Sequence, residues 1–448
     1  MKRGLLLLLS FSSCLTSFAV REQTSIPVYK DVKLKNGLRV LLMEDHNAPV
    51  YAIAVVYDVG SRNEKPGHTG FAHLFEHMMF QGSANVGKGE HMQLIQENGG
   101  GMNGTTNEDR TNYFESLPAN QLELGLFLES DRMRSLAVTQ ANLDNQRNAV
   151  QEERRLRMDN QPYGKSGEVL QDMMFDNFAY KHDTIGSMDD LNAASVADVQ
   201  QFFKTYYAPN NATIALVGDF KSADALKKVE QYFGNVPAQP VPPLVDVTEP
   251  RQKAERRKII SDDFAKLPML GIAYKTTQED TPDFLALDLF FDILCDGRSS
   301  RLYQRLVKDD KTAVQVQGGM KHSRGTTVGE VQVVSPAGID TAMVERAVYE
   351  EAAKLARTGP EDWEMEKVRN EVKAGQVQHS STDMGRARAI AQDAVFFNDP
   401  MRMFTGVPRY DAVTKDDIRR VAQKYLTPEN RSVLLTLPKT LPAPQETR

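Results

Sequence analysis

Two histidines and a glutamate stand within one short stretch, His73-Leu74-Phe75-Glu76-His77. On a helix, positions i, i+3 and i+4 share a face, so the three side chains converge. Two neutral imidazoles can grip one ion, and a carboxylate beside them can work on the water that the ion holds. The order His-x-x-Glu-His inverts the commoner zinc-hydrolase order. Phe71, Leu74, Phe75 and Met78 predict burial of the other helix faces, and nothing breaks the helix before Gly82.

A catalytic zinc takes three protein ligands and keeps one position for water. The sequence from Gln140 to Met158 predicts a long helix that carries Gln151-Glu152-Glu153-Arg154-Arg155. Glu152 and Glu153 are the candidates for the third ligand. Only one of them can point the same way as Ala149 and Val150, and spacing does not choose between them. The competing expectation is that both are solvated charges beside Arg154 and Arg155.

The elements that must position these residues follow in order. Val32 to Lys35 leads through Asn36-Gly37, a hairpin turn, into Leu38 to Met43, and Val50 to Val59 is a further strand. A polar loop, Ser61 to Thr69, precedes the histidine helix. Glu90 to Asn98 predicts a helix stopped by Gly99-Gly100-Gly101, and two paired strands follow around Met102 to Thr106 and Thr111 to Leu117. Leu122 to Arg134 is amphipathic. Val196 to Tyr206 is a helix capped by Ser195, Ala212 to Asp219 a strand, and Ala223 to Phe233 a closing helix. Val236 to Pro243 is a stiff, Pro-rich connection.

The second half repeats the first. Val413-Thr414-Lys415-Asp416-Asp417-Ile418, Tyr425, Pro428-Glu429-Asn430 and Val433 to Leu437 parallel Ser195 to Val199, Tyr207, Pro209-Asn210-Asn211 and the strand after it. A repeat this long means a duplicated domain, not a solenoid. With Gly297 set against Gly82, Asp288, Phe291 and Asp292 fall opposite His73, Glu76 and His77. The second copy is therefore expected to keep the helix without the metal site.

At 448 residues the chain suits two or more domains, and its 41% hydrophobic and 25% charged fractions are ordinary for globular protein. A net charge of -6, with no long basic run, argues against nucleic-acid partners. Lys2 and Arg3, the apolar run from Leu5 to Leu9 and the small residues Ser17 and Ala19 predict a signal peptide over residues 1–19. The apolar run is too short to span a membrane, so a periplasmic or secreted protein is expected. Lipid anchoring at Cys14 is the weaker alternative. Cys14 and Cys295 are the only cysteines, so cleavage after Ala19 leaves no internal disulfide. Cys295, in Phe290 to Cys295, is expected to be a packed, inert thiol.

Taken together, these motifs resemble the M16 family of zinc metallopeptidases, the pitrilysin-type inverzincins. The likeness is greatest to short two-domain members of the mitochondrial-processing and bacterial periplasmic kind. The matching residues are His73-Leu74-Phe75-Glu76-His77, Gly99 to Thr106, Gln151 to Arg154, Tyr206 to Asn211 with Val217-Gly218-Asp219, and Gly297 to Tyr303. The resemblance implies an α+β fold of two homologous domains. Each is a mostly antiparallel sheet packed with helices, and together they form half of a clamshell chamber. The expected boundaries are residues 26–236 for the zinc-binding domain, 237–257 for the linker and 258–440 for the metal-free copy. It implies Zn2+ held by His73, His77 and a distal glutamate, with Glu76 as general base; counting from the motif selects Glu153, with Glu152 as the alternative. It also implies that peptide substrates add as a strand beside Asn103, Gly104 and Thr105, although Asn103 also suits a turn.

One departure stands out. Active family members hold substrate with an Arg and a Tyr in the C-terminal half, and those positions fall here on Val307 and Val314, with Arg305 and Tyr303 out of register. The expectation is a catalytic subunit of a heterodimer whose homologous partner supplies the pair. The competing expectations are a non-catalytic scaffold or binding subunit, and a processing peptidase for one dedicated peptide.

Overall fold

The computed structural model describes residues 29–439, so the expected signal peptide and Cys14 lie outside the described residues. The first sheet has six strands: β1 (Tyr29–Lys33), β2 (Arg39–Glu44), β3 (Val50–Tyr57), β4 (Gly101–Thr106), β5 (Thr111–Pro118) and β6 (Ala212–Gly218). Their spatial order is β1-β2-β6-β3-β5-β4. The second sheet has five strands: β7 (Arg256–Asp262), β8 (Met269–Lys275), β9 (Gln315–Lys321), β10 (Val328–Val334) and β11 (Arg431–Pro438), in the order β7-β11-β8-β10-β9. Leave out β1 and the two orders are the same. In each sheet one pair is parallel, β2 with β6 and β7 with β11, and the rest are antiparallel.

The repeat extends to side-chain detail. The helices Val196–Tyr206 and Lys415–Tyr425 both open with a capping box, Ser195 with Asp198 and Thr414 with Asp417. Past each helix, an asparagine ties the turn down: Asn211 Nδ2 donates to Tyr206 O at 2.8 Å and Asn430 Nδ2 to Tyr425 O at 2.7 Å. Regular structure stops after the helix Ser222–Phe233 and resumes at β7.

The two halves exchange helices. The helix Asp383–Phe397, from the second half, lies on β3 and β6 of the first sheet, where Ala387, Ile390, Ala391 and Ala394 meet Ala52, Ala54, Val56, Ala215 and Val217. Small residues on both surfaces let helix and sheet approach closely. In return the helix Gly164–Met174 lies on β8 and β11, and Leu170 and Met174 pack with Ala273, Val328 and Leu434. The opposite face of the first sheet carries the larger core and the histidine helix. No described helix is long and apolar enough to cross a membrane.

Candidate metal centre

The histidine motif forms the helix Phe71–Met78. Its N-cap, Gly70, has a left-handed backbone (φ 84), and a Cβ there would meet Ile185 O at 2.5 Å. With no capping side chain of its own, the helix is capped from the preceding loop. Glu64 accepts from the backbone N–H of Gly70 (2.9 Å) and of Ala72 (2.7 Å), and is held in turn by His182 at 2.9 Å. A carboxylate at this end also suits the helix dipole. Phe71, Leu74, Phe75 and Met78 are buried as their spacing predicted, and Phe75 packs on Tyr207 with ring centroids 4.1 Å apart.

The helix Gln140–Arg154 crosses beside the motif helix. It continues as a π-helix over Arg155–Asp159, where an α-helix to Met158 was expected. Glu153 points into the site: its Oε2 lies 3.2 Å from His77 Nε2 and its Oε1 3.7 Å from His73 Nε2. Glu152 points away, its side chain 58% exposed and paired with Arg155 at 3.0 Å, against 17% exposed for Glu153. One detail departs from the expectation for this helix: Ala149 is exposed, so only Val150 marks the inward side. Arg154 is buried, donating to Gly186 O at 2.6 Å and to Glu168 Oε2 at 3.0 Å.

Three potential ligand atoms, one each from His73, His77 and Glu153, lie within 4.8 Å of one another. The set of two imidazoles and one carboxylate is a catalytic-zinc set. Gln146 Oε1 lies 3.2 Å from His77 Nδ1, placed to accept an N–H from it; burial lowers the His77 pKa, but the hydrogen bond and charge of Glu153 outweigh burial and raise it above the usual imidazole range. Burial, reinforced by His77, holds His73 below the usual imidazole range and so keeps it neutral, as a ligand must be. Largely exposed Arg157 balances Glu153 Oε1 at 2.6 Å.

Glu76 lies on the same helix with a different environment. Thr106 Oγ1 donates to its Oε2 at 2.6 Å, and Glu76 Oε1 is turned toward Gly104, where a Cβ would stand 3.2 Å away. Glycine at 104 therefore leaves room for the Glu76 carboxylate. Burial raises the Glu76 pKa above the ordinary range, against the Thr106 hydrogen bond that lowers it. Glu64, Thr106 and Gln146 were not foreseen in these roles. Of the expected substrate-edge residues, Gly104 faces the site, but Asn103 and Thr105 do not. Asn103 Oδ1 accepts from Gly104 N–H at 2.8 Å, and Thr105 Oγ1 accepts from Arg110 at 2.6 Å.

Residues 39–186 match the family described as Insulinase (Peptidase family M16), and residues 193–372 match the Peptidase M16 inactive domain. The chain is 31% identical to the zinc protease PqqE of Helicobacter pylori over 300 residues, 66% of this chain and 68% of that protein. It belongs to peptidase family M16. A crystal structure of a protease from Helicobacter pylori, 26% identical, superposes on this M16 chain with a TM-score of 0.88, over 92% of this chain and 100% of that one. The periplasmic protease PqqL from Escherichia coli, 19% identical, gives a TM-score of 0.75 over 93% of this chain but only 49% of its own. The α+β architecture expected as half of a chamber is the one observed.

Proposed function

We propose that this chain is an exported, zinc-dependent endopeptidase acting on peptides or small unfolded proteins, and the catalytic subunit of a heterodimer. The observation that carries hydrolysis is the convergence of His73, His77 and Glu153 beside Glu76. Their Nε2 atoms and carboxylate would hold the ion, which when bound polarises a carbonyl and acidifies water. Glu76 takes a proton from water and returns it to the leaving amine. Thr106 occupies Glu76 Oε2, so Oε1 is the oxygen available for that transfer. β4 ends its sheet, so a peptide adds along its open side through backbone hydrogen bonds.

The second-subunit reading rests on Val307 and Val314. Val307 packs against the second core, and Val314 is exposed just before β9; neither can hydrogen-bond a substrate through its side chain. Nearby Arg305 is committed to Ala347 O, Glu350 and Glu351. A partner supplying an Arg and a Tyr would complete the grip. The single-chain PqqL, twice the span of this fold, is consistent with a second two-domain unit closing the chamber. Export rests on the residue 1–19 pattern and on that neighbour being periplasmic.

The decisive pair of variants is Glu76→Gln, expected to keep zinc and lose turnover, and His73→Ala or His77→Ala, expected to lose zinc. Zinc at full stoichiometry in both histidine variants would refute the ligand assignment. Full-rate cleavage by the purified chain alone would refute the partner.

A further inference from the structure

β4 is paired on one side only, and its two faces lead to different surroundings. Residues directly opposite in an antiparallel pair share a face. Gly104 opposes Tyr113 and Thr106 opposes Thr111, on the Glu76 side. Asn103 opposes Phe114 and Thr105 opposes Asn112, so these face the helix Asp383–Phe397. At the turn, Asn107 N–H donates to Arg110 O, and alternation from that pair turns the backbone groups of Met102, Gly104 and Thr106 toward the open side. A peptide strand added there sends alternate side chains to the histidine side and to the Asp383–Phe397 side.

Among the described residues, the second of these faces holds two guanidinium groups without counter-ions. Arg388 sits over the Phe114 ring, Cζ 4.1 Å from its centroid, and its buried Nε has no hydrogen-bond partner. Arg110 is buried; it donates to Thr105 O (2.7 Å), Thr105 Oγ1 (2.6 Å) and Gln392 Oε1 (3.2 Å), all neutral. Burial, with Arg388 next, pushes Arg110 down to about 10; Glu76, Glu108 and Asp109 act on it only from a distance. Other buried arginines are paired, Arg62 with Asp109, Arg132 with Glu129 and Arg154 with Glu168. An unpaired, part-buried cation is costly, and a carboxylate arriving with a ligand would relieve that cost. Stacking on Phe114 explains where Arg388 lies but not why no acid faces it.

We infer that Arg388, backed by Arg110, forms a subsite on this face of β4 for an acidic side chain of the bound peptide. The inference rests on the proposed peptide-binding reading and names its substrate class: peptides with Asp or Glu at an alternate position of the added strand.

The test is fluorescence anisotropy on the zinc-loaded Glu76→Gln chain, together with any subunit that copurifies with it. The probes are one peptide sequence with Glu, Gln or Lys stepped along it, each with a free and an amidated C-terminus. Glu at positions of one parity should bind roughly tenfold tighter than Gln, as a desolvated charge pair requires. Arg388→Gln should erase that preference. Arg388→Lys should keep part of it, and Arg388→Glu should turn it toward Lys. Equal binding of Glu and Gln peptides, a preference that survives Arg388→Gln, a preference that follows the free C-terminus, or no peptide binding would each overturn the inference. Cleavage by the unmutated chain is scored separately: its absence for every peptide refutes the peptidase reading, while the affinities still decide the subsite.

Discussion

The helix Phe71–Met78 and the helix Pro282–Cys295 occupy equivalent places on two sheets built alike. The sheets themselves set the register between them. Gly104 in β4 opens toward Glu76 and Phe80; Gly318, in the same place on β9, opens toward Cys295, with a would-be Cβ 3.0 Å from its Sγ. Gly329 in β10 opens toward the Phe291 ring. Phe291 thus fills with an aromatic ring the space that Glu76 and the threonines Thr106 and Thr111 fill with polar groups. Around it, Asp288 is held by the Tyr410 hydroxyl at 2.7 Å, and Asp292 joins no ligand-like set of histidines and carboxylates among the described residues. The candidate metal centre is therefore not a property of the fold. It combines two imidazoles, a carboxylate from the crossing helix, and a glycine that leaves room for Glu76.

Breaking the first copy should have the largest effect. His73→Ala or His77→Ala should lose the metal and with it all hydrolysis above background, whereas Asp288→Ala or Asp292→Ala should keep both; metal analysis with a peptide assay checks this. Next in size, Gly104→Val should crowd Glu76 and cut turnover by about 10²-fold with zinc retained, because misplacing a reacting group by about 1 Å costs that much. The matching change, Gly318→Val, should instead press on Cys295 and Glu330 O, lowering stability by about 1–3 kcal/mol without changing turnover per folded molecule. A smaller effect separates the copies by pH. Burial, then the charges of Asp288, Asp296 and Glu371, push Asp292 up to about 8. The folded state keeps a proton that the unfolded chain releases near its ordinary pKa, so Asp292 lowers stability as pH rises from about 4 to 8. Asp292→Asn should gain about 2 kcal/mol at pH 8 and nothing below about pH 4 in denaturant melts, a figure set below the full linkage value because the side chain is part-exposed.

What the sequence disclosed about this site follows from how local each feature is. His73, Glu76 and His77 share one helix, so their spacing alone brought them together. The two-domain repeat was readable from the matching caps, turns and strands around Asn211 and Asn430. Glu153 was harder: spacing left Glu152 open, and the inward side is set by how the Gln140–Arg154 helix crosses the motif helix. Glu64, Thr106 and Gln146 each reach the site from a separate segment; Thr106 lay within the matching Gly99 to Thr106 stretch, but no local pattern marked its bond to Glu76 or the roles of the other two. The exchange of the Gly164–Met174 and Asp383–Phe397 helices was also hidden, since an apolar stripe shows that a helix is covered but not by which sheet. The helix Leu122–Ser135 read as apolar on one side and solvated on the other. It nevertheless buries Glu129 and Arg132 as an ion pair, near His91 and Glu115, which themselves lie 3.1 Å apart. Charged residues are expected outside unless paired, and this pairing depends on tertiary contacts.

The proposed function requires one ion per chain, held by His73, His77 and Glu153 in the first copy alone. Metal analysis of the purified chain beside its Glu153→Gln and Glu152→Gln variants tests it most directly. One zinc per chain is expected in the unmutated protein and in Glu152→Gln, and a loss of most of it in Glu153→Gln. Zinc retained in Glu153→Gln, or a second equivalent per chain in the unmutated protein, would contradict it.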